Sequence, residues 1–158
     1  MKIMVTGGCG FIGSNLVRHL IEESDHEVVN LDILTYAGNV HSLADVSSSG
    51  RYHFEQVDIR DEAEVSRCFE QHSPDWVLHL AAESHVDRSI EGAEDFIGTN
   101  VLGTFQMLQA SKAHYEQLDA TRRDQFRFLH VSTDEVYGSL GEEGLFTEST
   151  AYDPRSPY

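Results

Sequence analysis

Apolar residues along the chain gather in short runs, separated by stretches with helical spacing, and that alternation predicts strand and helix in turn. Ile3, Met4 and Val5 form a first strand ending at Thr6. Phe11, Ile12, Leu16, Val17, Leu20 and Ile21 then recur at intervals that mark one face of a helix. A second run, Val28-Val29-Asn30-Leu31, ends at Asp32, and a third, Tyr52 to Val57, ends at Asp58. Asp61 predicts an N-cap, with Glu64 completing a capping box, for a short helix carrying Val65, Cys68 and Phe69 that Pro74 stops. Trp76 to Ala82 is nearly continuous in apolar residues, as a central strand buried on both faces should be. Phe96 to about Lys112 reads as one long helix with its apolar stripe at 97, 101, 105 and 108 together with Met107, and with Gly98 and Gly103 allowing close packing. Phe126 to Val131 is a fifth strand.

Strands alternating with helices predict an α/β fold, a doubly wound parallel sheet of the Rossmann-like kind. From Gly138 to Tyr158 no periodicity is sustained, and a long irregular tail is a poor place to close a domain. Residues 1–158 are therefore expected to be an incomplete dinucleotide-binding domain, cut before a substrate domain.

The junction of the first strand and helix carries Gly7, Gly10 and Gly13. Glycines there permit a tight turn, close approach of a pyrophosphate and close packing of helix on strand, while the helix N-terminus offers free N–H groups to an anion. A glycine-rich turn can also be only a turn. Asp32, nineteen residues after Gly13 and at a strand end, adds the carboxylate that would bind the adenosine ribose hydroxyls. It would repel the extra phosphate of NADP, and the neighbouring Ile33 and Leu34 bring no cation, so NAD is the expected cofactor.

Composition narrows the partners. Eleven basic against twenty-seven acidic residues leave a formal charge of -16, which opposes nucleic acid and anionic membrane surfaces alike. Two cysteines make no disulfide framework or metal pairing, the nine histidines are not spaced as ligands, and no metal is expected. The apolar run after Lys2 is too short for a signal peptide, so a cytoplasmic location is expected. Cys9 sits in the glycine turn, where a helix dipole could lower a thiol's pKa, but the reading preferred is a small residue that merely fits there. Asp134 and Glu135, beside Ser132 and Thr133 at the exit of the fifth strand, form an adjacent acid pair able to divide acid and base roles.

Several stretches together resemble the extended short-chain dehydrogenase/reductase family, and within it the branch that dehydrates nucleotide sugars. They are Thr6 to Gly13, Leu34-Thr35-Tyr36-Ala37-Gly38-Asn39, Asp58-Ile59, His79 to Ser89, Thr99-Asn100, Val131 to Gly138 and Ser156-Pro157-Tyr158. The resemblance implies an NAD site lined by Gly7, Gly10, Phe11, Ile12, Gly13, Asp32, Ile33, Leu34, Thr35, Asp58, Ile59, Leu80, Ala81, Ala82, Glu83, Ser84, Thr99 and Tyr158. It also implies Ser84 and Thr133 at the sugar, Asp134 as acid toward the sixth-carbon hydroxyl and Glu135 as base toward the fifth carbon. Tyr158 matches the tyrosine of the family's Tyr-x-x-x-Lys motif, the base at the fourth carbon. The implied reaction is a lyase converting dTDP-glucose to its 4-keto-6-deoxy product for deoxysugar synthesis, with a homodimer as the whole protein and no turnover by this stretch alone. An epimerase or decarboxylase of the same family, or a silent NAD-binding module, are the alternatives.

Overall fold

A computed structural model of the chain describes residues 1–156 and 158; Pro157 lies outside the described residues. Five parallel strands, β1 (Lys2–Thr6), β2 (Glu27–Leu31), β3 (Tyr52–Glu55), β4 (Trp76–His79) and β5 (Arg127–His130), form one sheet in the order β3-β2-β1-β4-β5. The chain builds outward from β1 to β3, then crosses to the far side of β1 for β4, so the order reverses between β1 and β4. That reversal opens a crevice at the carboxyl ends of the strands, where open α/β sheets bind ligands.

Side chains alternate across each strand, and the two faces recruit different helices. Ile3 and Val5 of β1 and Val28 of β2 pack with Val17 and Ile21 of α1 (Phe11–Glu22). Met4, Val29 and Val77 face the other way, against Val65 and Phe69 of α2 (Glu62–His72) and Met107 and Ala110 of α5 (Thr104–Gln117). Each such large side chain contributes roughly 1.5–3 kcal/mol by leaving water. The short helices α3 (Val86–Glu91) and α4 (Ala93–Phe96) follow β4, and α6 (Ala120–Gln125) leads into β5. Among the described residues β5 is an edge strand paired only with β4, and Leu129 on it is exposed.

Four expectations from the sequence need correction. Phe11 and Ile12 are not on the buried face of α1; they are 88% and 64% exposed and stand at the crevice. The helix expected from Phe96 to Lys112 is three segments, α4, a π-helix over Ile97–Gly103 and α5, running on to Gln117. Its apolar stripe faces outward, with Ile97, Val101, Phe105 and Leu108 all about half exposed, because the small face is the packed one: a Cβ on Gly103 would lie 2.7 Å from the Ile59 side chain. The capping box of α2 is half formed. Asp61 accepts the Glu64 N–H at 3.1 Å, but the Asp61 N–H goes to the Asp58 carbonyl at 3.0 Å and the Glu64 carboxylate pairs with Arg67 at 3.0 Å. Finally, β3 and β4 end at Glu55 and His79, and Val57 and Ala82 already belong to the loops beyond.

Candidate functional site

Register brings the strand ends to one level. Thr6 pairs with both Leu31 and His79, Leu31 with Glu55, and His79 with His130. One residue past Thr6, Leu31, His79 and His130 come Gly7, Asp32, Leu80 and Val131, and all four line a single cleft of about 620 Å³, within the ~300–1,000 Å³ usual for small-molecule and cofactor sites.

The glycine turn is shaped by contacts that a side chain would prevent. Gly7 has φ +70°, and a Cβ there would come within 2.9 Å of the Ala81 backbone; on Gly13 it would come within 2.1 Å of the Gly7 carbonyl oxygen. No side chain caps α1 at Gly10, so the first-turn N–H groups are left facing the cleft. A turn that admits no Cβ beneath an uncapped helix start fits a pyrophosphate.

Asp32 is buried, and its carboxylate works inward first. Oδ2 accepts the Cys9 N–H at 2.9 Å and Oδ1 the Leu34 N–H at 2.8 Å, so one group ties the glycine turn to the loop after β2. A carboxylate offers about four acceptor sites, which leaves room for ribose hydroxyls. Phe11, Ile12, Ile33, Thr35, Ile59, Ala82, Ser84 and Thr99 complete the cleft lining among the residues expected there. Leu34 does not line it: with φ 61° it turns its amide to Asp32 and its side chain to the packing around α1.

Residues from separate loops meet over the opening. The Arg88 guanidinium stacks on the Tyr36 ring at 3.9 Å, and the Tyr36 hydroxyl donates to Glu83 Oε2 at 3.1 Å. Burial, and then the Glu83 charge, push the Tyr36 phenol up. Asn100, in the π-helix, clamps the Glu83 backbone at both its N–H (2.9 Å) and its carbonyl (2.8 Å). Asp58 faces the cleft gripped by Arg60, with contacts of 2.7 to 3.1 Å; partial burial would raise this carboxyl, but the guanidinium outweighs it and holds it below its ordinary value. Tyr36, Arg60 and Arg88 are not among the expected site residues, because only the fold joins their two loops to α3. The stretches Leu34 to Asn39 and His79 to Ser89, which contain Tyr36 and Arg88, were the available signals.

At the β5 end, Ser132 and Tyr158 line the cleft, and Tyr158 packs edge-on to Phe96 at 6.2 Å between centroids. Thr133, Asp134 and Glu135 are not among its lining residues. Asp134 and Glu135 are exposed in a 3₁₀ turn over Asp134–Tyr137, two and three positions past Ser132, and Thr133 caps that turn by accepting the Glu135 N–H at 3.2 Å. Cys9 is buried, which raises its thiol instead of activating it. Among the described residues no cluster of three or more His, Cys, Asp or Glu is placed to hold a metal, and no helix is long and apolar enough to cross a membrane.

Residues 4–158 match the model of a protein family described as GDP-mannose 4,6 dehydratase. The chain belongs to that family. A dTDP-glucose 4,6-dehydratase from Neisseria gonorrhoeae is 59% identical to it over 99% of this chain and 46% of the relative. The crystal structure of a dTDP-glucose 4,6-dehydratase from Streptomyces venezuelae with NAD bound superposes with a TM-score of 0.85 at 47% identity, covering all of this chain and 47% of that one. A UDP-glucose 4-epimerase from Thermus thermophilus, also in complex with NAD, superposes at 0.84 with 31% identity over 46% of its own length. The chain thus spans about half the length of the curated relatives and solved structures it matches.

Proposed function

We propose that the full-length protein is an NAD-dependent dTDP-glucose 4,6-dehydratase, and that this chain is its cofactor-binding half. The observation that carries the reading is the makeup of one cleft: the glycine turn and Asp32 at one end, Ser132 and Tyr158 at the other. The Neisseria gonorrhoeae relative, at 59% identity, bears that activity in its name, while the epimerase is 31% identical. A silent NAD-binding module would have no use for the acid pair beside Ser132.

The chemistry that bound NAD supplies is reversible hydride storage between the sugar's fourth and sixth carbons. The residues expected to hold NAD are the turn from Gly7 to Gly13, Asp32, and the Ala81-Ala82-Glu83-Ser84 loop. Tyr158 would take the proton of the fourth-carbon hydroxyl. A ketone at that carbon acidifies the neighbouring C–H, whose proton Glu135 would remove while Asp134 protonates the departing hydroxyl. Ser84 and Thr133 would position the hexose. Because Asp134 and Glu135 stand in an exposed turn outside the cleft, the substrate domain would have to enclose them. This chain alone is therefore expected not to turn over.

We further read the whole protein as a homodimer, the second copy covering Ile97, Val101, Phe105 and Leu108. The test of activity is full-length enzyme with dTDP-glucose in heavy water, followed by mass spectrometry. Loss of water with deuterium gained at the fifth carbon is expected; Asp134→Asn and Glu135→Gln should each abolish it. An intact, epimerised sugar would overturn the assignment.

A further inference from the structure

Beneath the cleft lies a buried chain of hydrogen bonds that nothing in the proposed reaction uses. Thr6 ends β1, His79 ends β4 and Thr104 begins α5. The Thr6 hydroxyl oxygen lies 2.7 Å from His79 Nδ1, and His79 Nε2 lies 3.0 Å from the Thr104 hydroxyl. The same Thr6 oxygen receives the backbone N–H of Ala81 at 3.0 Å and, shared with the Thr6 carbonyl, that of Leu80 at 3.2 Å. Thr6 and His79 are fully buried, so water offers no alternative partner.

Donor and acceptor counting then favours one arrangement. A hydroxyl has one proton and two lone pairs. Backbone N–H groups can only donate, so Ala81 takes one lone pair of Thr6 and Leu80, which divides its N–H between the hydroxyl and the Thr6 carbonyl, takes the other, and the hydroxyl proton points at His79 Nδ1. Nδ1 is therefore an acceptor, the ring is neutral, and the proton on Nε2 is donated to Thr104. An imidazolium would place a second proton against Thr6 and expel one of the two backbone donors. The next titratable group is His130, stacked on His79 at 5.2 Å; burial first, and then His130, lower the His79 pKa to about 4.

What this fixes is the cleft floor. Ala81 lies where any side chain on Gly7 would collide, at 2.9 Å, and both residues line the cleft. We infer that His79, locked as the neutral Nε2–H tautomer between Thr104 and Thr6, is a positioning residue for the cofactor, because it turns both lone pairs of the Thr6 hydroxyl onto the backbone of Leu80 and Ala81. The inference rests on the reading that this cleft binds NAD, and it makes α5 part of the cleft's support.

Two measurements on the full-length protein test it. Nitrogen-15 NMR of the His79 ring should show Nε2 protonated and Nδ1 bare, unchanged from about pH 7.5 to about pH 5.5. A protonated Nδ1, or a ring that titrates in that window, overturns the tautomer lock. NAD affinity by calorimetry should fall about tenfold or more in Thr6→Val, which strips the Ala81 amide of its acceptor, leaves Leu80 only the Thr6 carbonyl and takes a donor from the ring, but stay within about threefold in Thr6→Ser. Thr104→Val lies outside the cleft and removes only the Nε2–H acceptor. It should give mixed tautomer signals and an NAD affinity lowered by about threefold to tenfold, which a merely structural histidine would not transmit. Altered tautomer with unaltered affinity overturns the positioning role, and this second variant decides the matter should Thr6→Val fail to fold. If the unmutated protein bound no NAD, the cofactor reading would fall, and the ring signals would still decide the tautomer.

Discussion

At the scale of single residues, the same side chains that face the cleft also hold it open. Asp32 binds two backbone amides with its two oxygens, so it shapes both the glycine turn and the loop after β2. His79 does the corresponding work under the floor, and its neutrality has a measurable cost in acid. An unfolded chain's imidazole titrates near 6.5, whereas the folded ring titrates at about 4. As pH falls, the unfolded state binds the proton first, so this group's contribution is complete above about 6.5, declines through the window and is gone below about 4. Its full span is on the order of 3 kcal/mol. Urea unfolding across that window should therefore show a shallower pH dependence in His79→Gln than in the unmutated protein. Equal slopes would mean that another buried group dominates.

At the scale of elements, the half-formed box at the start of α2 separates two carboxylates that look equivalent in sequence. Only Asp61 satisfies a helix amide, while Glu64 pairs with Arg67 in solvent. Asp61→Ala should cost about 1 kcal/mol in chemical denaturation, and Glu64→Ala less than about 0.5 kcal/mol. Period alone exposed all five strands and their parallel winding, because β1 and β2 are buried on both faces, β4 is buried on one and half-buried on the other, and all three read as apolar runs. It misassigned the face of the segment after Phe96. There the packed side is small, built on Gly103, Ala110 and Ser111 with Met107, and the large apolar residues face out. A hydrophobicity pattern cannot distinguish a stripe that meets this chain's own core from one that meets something else. The glycines and Asp32 were legible because strand-turn-helix spacing dictates their place. Tyr36, Arg60 and Arg88 reach the site from two loops and the short helix α3, whose mutual placement no local rule sets.

At the scale of the whole molecule, that outward stripe on the π-helix and α5 is the surface assigned to a second copy. Phe105→Glu should shift the sedimentation mass of the full-length protein from two chains to one; a dimer that survives it would place the contact elsewhere. The sheet edge beside α5 has its own uncovered feature among the described residues. β5 presents one row of backbone donors and acceptors with no neighbouring strand, and Leu129 beside them is 55% exposed. Open strands of that kind are templates for the same strand on another molecule. For anyone producing these 158 residues by themselves, that open strand makes association in concentrated solution the behaviour to watch.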